Sequence, residues 1–157
     1  MRNKGRRFVS ASAEDTKGIG RRLGGLVRSA GSGTVCLYGE LGAGKTTFIK
    51  GFASAFGLAE RDIGSASFVI VAEYETTPPF YHVDLYRIEG EEALDQVGIW
   101  DYLETGGVAV IEWSERLGQA PEGAVKVSIG YAGENSREIS VEGVGEEDWN
   151  NMQSRKT

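Results

Sequence analysis

Gly39-Glu40-Leu41-Gly42-Ala43-Gly44-Lys45-Thr46 has the spacing G-x-x-x-x-G-K-[ST] of a phosphate-binding loop. Each residue type has a chemical reason. Gly39, Gly42 and Gly44 allow backbone angles and a close approach that a side chain would block. The loop amides, through Thr47, can then converge on phosphate oxygens, helped by the positive end of the helix expected next. Lys45 would reach the terminal phosphates, and the Thr46 hydroxyl would ligate magnesium. A nucleoside triphosphate is the ligand this pattern implies.

Such a site needs a second acid, usually at the end of a strand near the loop. Val108-Ala109-Val110-Ile111-Glu112 has that form, and Glu112 is the candidate metal acid. Spacing leaves open whether it ligates magnesium or acts as a general base. His82-Val83-Asp84-Leu85-Tyr86-Arg87 is the third piece. Strand alternation puts His82, Asp84 and Tyr86 on one polar face and Tyr81, Val83 and Leu85 on the other. Asp84 is the stronger candidate here, either supporting the metal or orienting an attacking water.

These residues need elements to hold them. Thr34 to Tyr38 is a short apolar run suited to a buried strand before the loop. Thr46 to Phe56 carries Phe48, Ile49, Phe52, Ala53 and Phe56 at helical spacing, and Gly57 stands where a helix would stop. Upstream, Phe8 to Ser10 reads as a strand. A helix capped by Ser12 then runs to about Ser29, although Gly24-Gly25 interrupts its propensity. Ser67 to Tyr74 and Phe80 to Tyr86 read as two strands of a hairpin turning at Thr76 to Pro79. Glu91 to Glu104 reads as one helix, and Val108 to Ile111 as a strand buried on both faces. Val125, Val127 and Ile129, then Ile139 and Val141, alternate with polar residues as in a terminal antiparallel hairpin. The order implies an α/β fold: a phosphate-loop nucleotide-binding domain whose mixed, mainly parallel sheet is flanked by helices.

A chain of 157 residues with 40 % apolar content suits one domain, with a core from about 8 to 142 and flexible ends at 1–7 and 146–157. No apolar run approaches about 18 residues, so no membrane-spanning helix is expected. The single cysteine, Cys36, reads as a small buried hydrophobe of a cytoplasmic chain. Net charge is −6; Arg2, Lys4, Arg6 and Arg7 add four positive charges, leaving about −10 on the rest. Such an acidic body argues against broad nucleic-acid binding by the chain itself.

From about Phe8 to Val141 the sequence resembles the TsaE (YjeE) family. The likeness rests on the loop with Thr47-Phe48 behind it, on His82-x-Asp84-Leu85-Tyr86-Arg87, and on Ile111-Glu112-Trp113-x-Glu115-Arg116. It implies a magnesium-dependent ATPase required for threonylcarbamoylation of tRNA adenosine next to the anticodon. Its implied partners are the TsaB and TsaD proteins, so tRNA would be met indirectly, through their complex. By position, the resemblance implies that Lys45 and the loop amides bind phosphates, that Thr46 and Glu112 hold magnesium, and that Asp84 is an essential acid. It also implies that Trp113 lies near the nucleotide and that Thr16 approaches the base. The family's switch-like Ser-Pro-Thr-Phe/Tyr reads Ser65-Ala66-Ser67-Phe68 here, and Ser114 replaces a common proline. Losing the first proline should leave that segment less constrained.

Two other functions share the loop. A small-molecule kinase would need an acceptor pocket and a lid supplying arginines; Arg87, Arg116 and Arg137 are available, but no lid insertion is legible. A nucleotide-dependent switch protein would need a guanine motif. Asp95-Gln96-Val97-Gly98 imitates D-x-x-G but lies in a predicted helix, and no Asn-Lys-x-Asp occurs.

Overall fold

The computed structural model describes residues 5–40, 42–64, 70–145 and 147–150. One seven-stranded sheet runs through it, in the order β1-β7-β6-β2-β5-β4-β3. The strands are β1 (Arg6–Ser10), β2 (Gly33–Tyr38), β3 (Val71–Tyr74), β4 (Phe80–Asp84), β5 (Val108–Glu112), β6 (Val125–Tyr131) and β7 (Arg137–Glu142). The middle strands β6, β2, β5 and β4 are parallel to one another. Antiparallel pairings of β1 with β7, β6 with β7 and β3 with β4 complete the sheet. The mixed α/β sheet is therefore as expected, with the parallel part at its centre.

Helices cover both faces. On one face lie α1 (Ala13–Ala30) and α2 (Lys45–Ser54), whose Leu23, Val27, Phe48, Ile49 and Phe52 pack on Val35, Leu37, Phe80, Val108 and Val110. On the other, α3 (Gly90–Val97), α4 (Ile99–Glu104) and a 3-10 turn (Ser114–Leu117) bring Leu94, Ile99 and Leu117 against Cys36, Val83 and Ile111. All five residues of β5 are buried, which is why its sequence is a continuous apolar run ending in one acid. Among the described residues no helix is long and apolar enough to cross a membrane.

α1 starts where its cap predicts. Ser12 Oγ accepts the Asp15 amide at 3.1 Å, and Asp15 Oδ2 accepts the Ala11 amide at 3.0 Å. It also runs unbroken past Gly24-Gly25, and α2 lies too close for a side chain at Gly20 or Gly24. A Cβ on Gly20 would stand 2.3 Å from the Phe48 carbonyl oxygen, and one on Gly24 would stand 2.3 Å from that of Phe52. Glycine is here a packing residue that outweighs its poor helix propensity.

Several boundaries differ from the sequence reading. The helix expected over Glu91–Glu104 is two, because Gly98 at φ 75° caps α3 with its amide on the Asp95 carbonyl and redirects the chain. β4 ends at Asp84, whose Oδ1 accepts the Tyr86 amide at 3.0 Å and turns the chain; Tyr86 thus leaves the strand face and stands exposed. The first strand begins at Arg6, since Arg6 and Arg7 pair with Val141 and Ser140 on β7, so they are not a flexible end. Of the tail expected to fray from 146, the described residues 147–150 bury Trp149, whose ring lies 5.3 Å from that of Phe8. A lone large aromatic in a polar stretch had an apolar partner on β1 that periodicity does not reveal. Ser67 to Val69, the predicted start of β3, and the switch-like Ser65 and Ser67 lie outside the described residues.

Candidate phosphate-loop and carboxylate site

The loop leaves the carboxyl end of the central strand β2 and enters α2. Its glycines are used. Gly39, Gly42 and Gly44 all have positive φ, and a Cβ on Gly39 would stand 2.5 Å from the Ile129 carbonyl oxygen. Gly44 is the N-cap of α2, so the helix start and its unpaired amides face the loop interior. Ala43 is buried, its amide donating to the Glu40 carbonyl at 3.0 Å. Leu41 lies outside the described residues. Thr46 and Thr47 are the second and third residues of α2 and half-buried.

Lys45 is 5 % exposed and satisfied within the loop. Its Nζ donates to the Gly39 carbonyl and, at 3.2 Å, to that of Glu40. It also sits 3.6 Å from the centre of the Trp113 ring, a cation–π contact. Burial pushes the Lys45 ammonium below its usual pKa, while the charges of Glu115, Glu112 and Asp84 pull it back up. Three carboxylate charges thus act on the lysine.

Two of those acids come from adjacent parallel strands in matched register. Asp84 on β4 pairs with Glu112 on β5, so both emerge at the same level beyond the carboxyl end of the sheet. Glu112 is 5 % exposed and bonded to His82 Nε2 through Oε2 at 2.7 Å, with His82 itself 4 % exposed. His82 thus supports the acid from below, and the polar face of β4 is buried at this point. Burial pushes the Asp84 carboxyl above its usual pKa; the Tyr86 amide opposes this and the Glu112 charge adds to it. Among the described residues no group of three or more His, Cys, Asp or Glu could hold a metal ion by itself. A hydroxyl and two carboxylates are nonetheless hard oxygen donors of the kind magnesium takes alongside phosphates and waters.

β5 ends abruptly. Trp113 has φ 59°, the one positive value outside glycine among the described residues, and it throws the chain into the 3-10 turn. A left-handed bulky residue is strained, and here the strain aims the indole at Lys45, with the exposed Tyr86 ring 5.0 Å from it. Ser114, where a proline was the family expectation, is buried and donates its hydroxyl to the Ile111 carbonyl at 2.8 Å, holding the turn by a hydrogen bond.

A cavity of about 430 Å³ opens beside the helix start, lined by Ser12, Thr16, Gly44, Thr47, Asn135 and Arg137 among others. Thr16 reaches it from α1, although its hydroxyl is buried and shared with Ser10 Oγ at 2.6 Å. Arg137 was not legible as a loop residue. From the start of β7 its Nε donates to the Ala43 carbonyl at 2.9 Å, and its guanidinium lies over Tyr131. Only the sheet order, which brings the terminal hairpin beside β2, places it there.

Residues 10–139 match the family model described as threonylcarbamoyl adenosine biosynthesis protein TsaE. The chain belongs to the TsaE family. This family takes part in tRNA threonylcarbamoyladenosine biosynthesis. The tRNA threonylcarbamoyladenosine biosynthesis protein TsaE of Bacillus subtilis is 35 % identical over 141 residues, covering 88 % of this chain and 86 % of that protein. The protein of the same description from Treponema pallidum is 38 % identical over 136 residues, covering 86 % and 98 %. The crystal structure of Bacillus subtilis YdiB superposes with a TM-score of 0.74 at 32 % identity, over 100 % of this chain and 99 % of that one. The TsaE match ends within β7, so the Trp149 anchor lies beyond it.

Proposed function

We propose that this chain is a magnesium-dependent ATPase that supports tRNA threonylcarbamoyladenosine modification by acting on a TsaB–TsaD complex. The observation that carries the reading is the shared register of Asp84 and Glu112 at the ends of adjacent strands, with both charges acting on Lys45 at the start of α2. A buried cation beside a cradle of glycine amides suits the phosphates. Two neighbouring carboxylates, one pushed toward its protonated form, suit a hard divalent ion.

In this reading the loop amides and Lys45 bind the β- and γ-phosphates, and Gly39 to Thr47 supplies the cradle. Thr46 and Glu112 hold magnesium, with Asp84 supporting it or orienting the attacking water. Magnesium, when bound, would neutralise charge developing on the phosphoryl oxygens. The cavity lined by Thr16, Thr47 and Asn135 is continuous with the helix start and suits the nucleoside portion. Trp113 lies over Lys45.

Two of the candidate arginines, Arg116 and Arg137, are already engaged in holding the chain. Arg137 braces the loop from behind, and Arg116 donates to the Tyr86 carbonyl at 3.1 Å. Turnover by the chain alone is accordingly slow, and the partner complex completes or gates the site. The deciding measurement is ATPase activity of the chain alone against the chain with purified TsaB–TsaD and tRNA. Stimulation is expected, and equal rates would count against gating. Lys45→Ala and Glu112→Ala should each abolish turnover with the fold intact; full magnesium-dependent activity in Glu112→Ala would overturn the assignment of the metal acid.

A further inference from the structure

Glu115, so far only one of the charges acting on Lys45, also touches the loop. Its Oε2 accepts the Gly39 amide at 3.1 Å, the only described side-chain bond to the first residue of the phosphate loop from outside it. The same carboxylate is the first of the three charges acting on Lys45, ahead of Glu112 and Asp84. It also helps push the Tyr38 hydroxyl up to about 12, behind the larger effects of burial and of Cys36. An exposed acid therefore sits at the hinge between β2 and the loop, bonded to the loop's first amide.

Its neighbour works in the opposite direction along the same short turn. Arg116 donates to the Tyr86 carbonyl, just beyond the turn that Asp84 makes. The 3-10 turn Ser114–Leu117 thus holds the phosphate loop with one residue and the Asp84 turn with the next, directly after Glu112 and Trp113.

Resting on the ATPase reading, we propose that Glu115 is a positioning residue of the phosphate site. Its hydrogen bond fixes the start of the loop, and its charge makes every bound phosphate compete with a resident carboxylate. The two effects oppose each other. The bond pre-orders the cradle, which favours binding; the charge repels the ligand, which weakens the hold on product and keeps the site exchangeable. Glutamine separates them, since its amide oxygen can still accept from Gly39 but carries no charge. Alanine removes both.

The test is calorimetric binding of magnesium-ADP and a non-hydrolysable magnesium-ATP analogue to the wild type, Glu115→Gln and Glu115→Ala, with amide hydrogen exchange at Gly39 in the absence of nucleotide. Because Glu115 is exposed, the charge effect is modest: Glu115→Gln should bind about two- to fivefold tighter at low salt. The gain should be larger for the triphosphate analogue and should fade at roughly 0.5 M salt, where screening acts within a few ångströms. The Gly39 amide should exchange faster in Glu115→Ala than in Glu115→Gln. A purely structural role would move neither the salt dependence nor the difference between the two nucleotides. Wild-type binding with an unchanged Glu115→Gln affinity would overturn the charge role, and unchanged Gly39 exchange in Glu115→Ala would overturn the anchor. No nucleotide binding by the wild type would instead sink the ATPase reading itself.

Discussion

The seam between α1 and α2 offers a stability test in which one substitution changes sign along a single helix. A Cβ at Gly24 would lie 2.3 Å from the Phe52 carbonyl oxygen, whereas a Cβ at Gly18 meets nothing within 4 Å. Ordinary contact begins at 3.4 Å, so Gly24→Ala must push the helices about 1 Å apart, and backbone cannot rotate away as a side chain could. Overpacking of this kind costs about 1–3 kcal/mol, and the better helix propensity of alanine returns about 1 kcal/mol. With an unyielding carbonyl the cost belongs at the upper end, giving a net loss of about 1–2 kcal/mol. Gly18→Ala keeps only the gain, about 1 kcal/mol. For a chain of this size each kcal/mol shifts the midpoint by about 2–4 °C, so thermal and urea unfolding should move the two variants in opposite directions. The consequence reaches the site, because α2 begins with Lys45 and displacing it displaces the loop. Nucleotide affinity should fall in Gly24→Ala and hold in Gly18→Ala. Two variants with the same sign of stability change would refute the steric account of these glycines.

Three further outcomes follow from the acids and the indole. His82→Ala removes the buried partner of Glu112 and should destabilise the fold by about 1–3 kcal/mol in urea titrations, with Glu112→Gln recovering part of the loss in the double variant. Burial raises the Asp84 pKa, so the native state keeps its proton to a higher pH than the unfolded chain does. The ionised carboxylate then lowers stability at neutral pH, and that penalty disappears as pH falls through the raised value. Asp84→Asn should therefore raise the neutral-pH melting temperature and flatten its pH slope while losing magnesium-dependent turnover. Nucleotide binding should draw Lys45 from the Trp113 ring and change the indole emission; a change of equal size in Lys45→Met would show that the cation–π contact is not its source.

How much of this could be read from residues alone depended on the range of the interaction. The loop, the strand before it and the buried strand ending in Glu112 are local patterns, and the structure reproduces them with boundaries shifted by a residue or two. Local signals failed where a distant surface decided the outcome. Gly24 looked like a helix breaker until Phe52 was placed against it, and Trp149 looked like part of a frayed tail until Phe8 stood beside it. The candidate site divides the same way. Lys45 and Glu112 were legible from spacing, but the shared register of Asp84 and Glu112 exists only because β4 and β5 are neighbours in the sheet. Arg137 lies 94 positions from the Ala43 carbonyl that it holds, beyond the reach of any periodicity.

The resting arrangement also bears on what kind of ligand the proposed site favours. Lys45 spends its hydrogen bonds on the carbonyls of Gly39 and Glu40 and rests its charge on Trp113, so a phosphate must displace contacts that are already satisfied. Asp84 and Glu112 have the converse problem, two carboxylates at one level with a single histidine between them and the core. Magnesium nucleotide would answer both, offering phosphate to the lysine and a cation to the acids. Each need alone is a weak incentive; together they favour a ligand that brings both charges at once. Trp113 and the exposed Tyr86 form the outer surface of that arrangement.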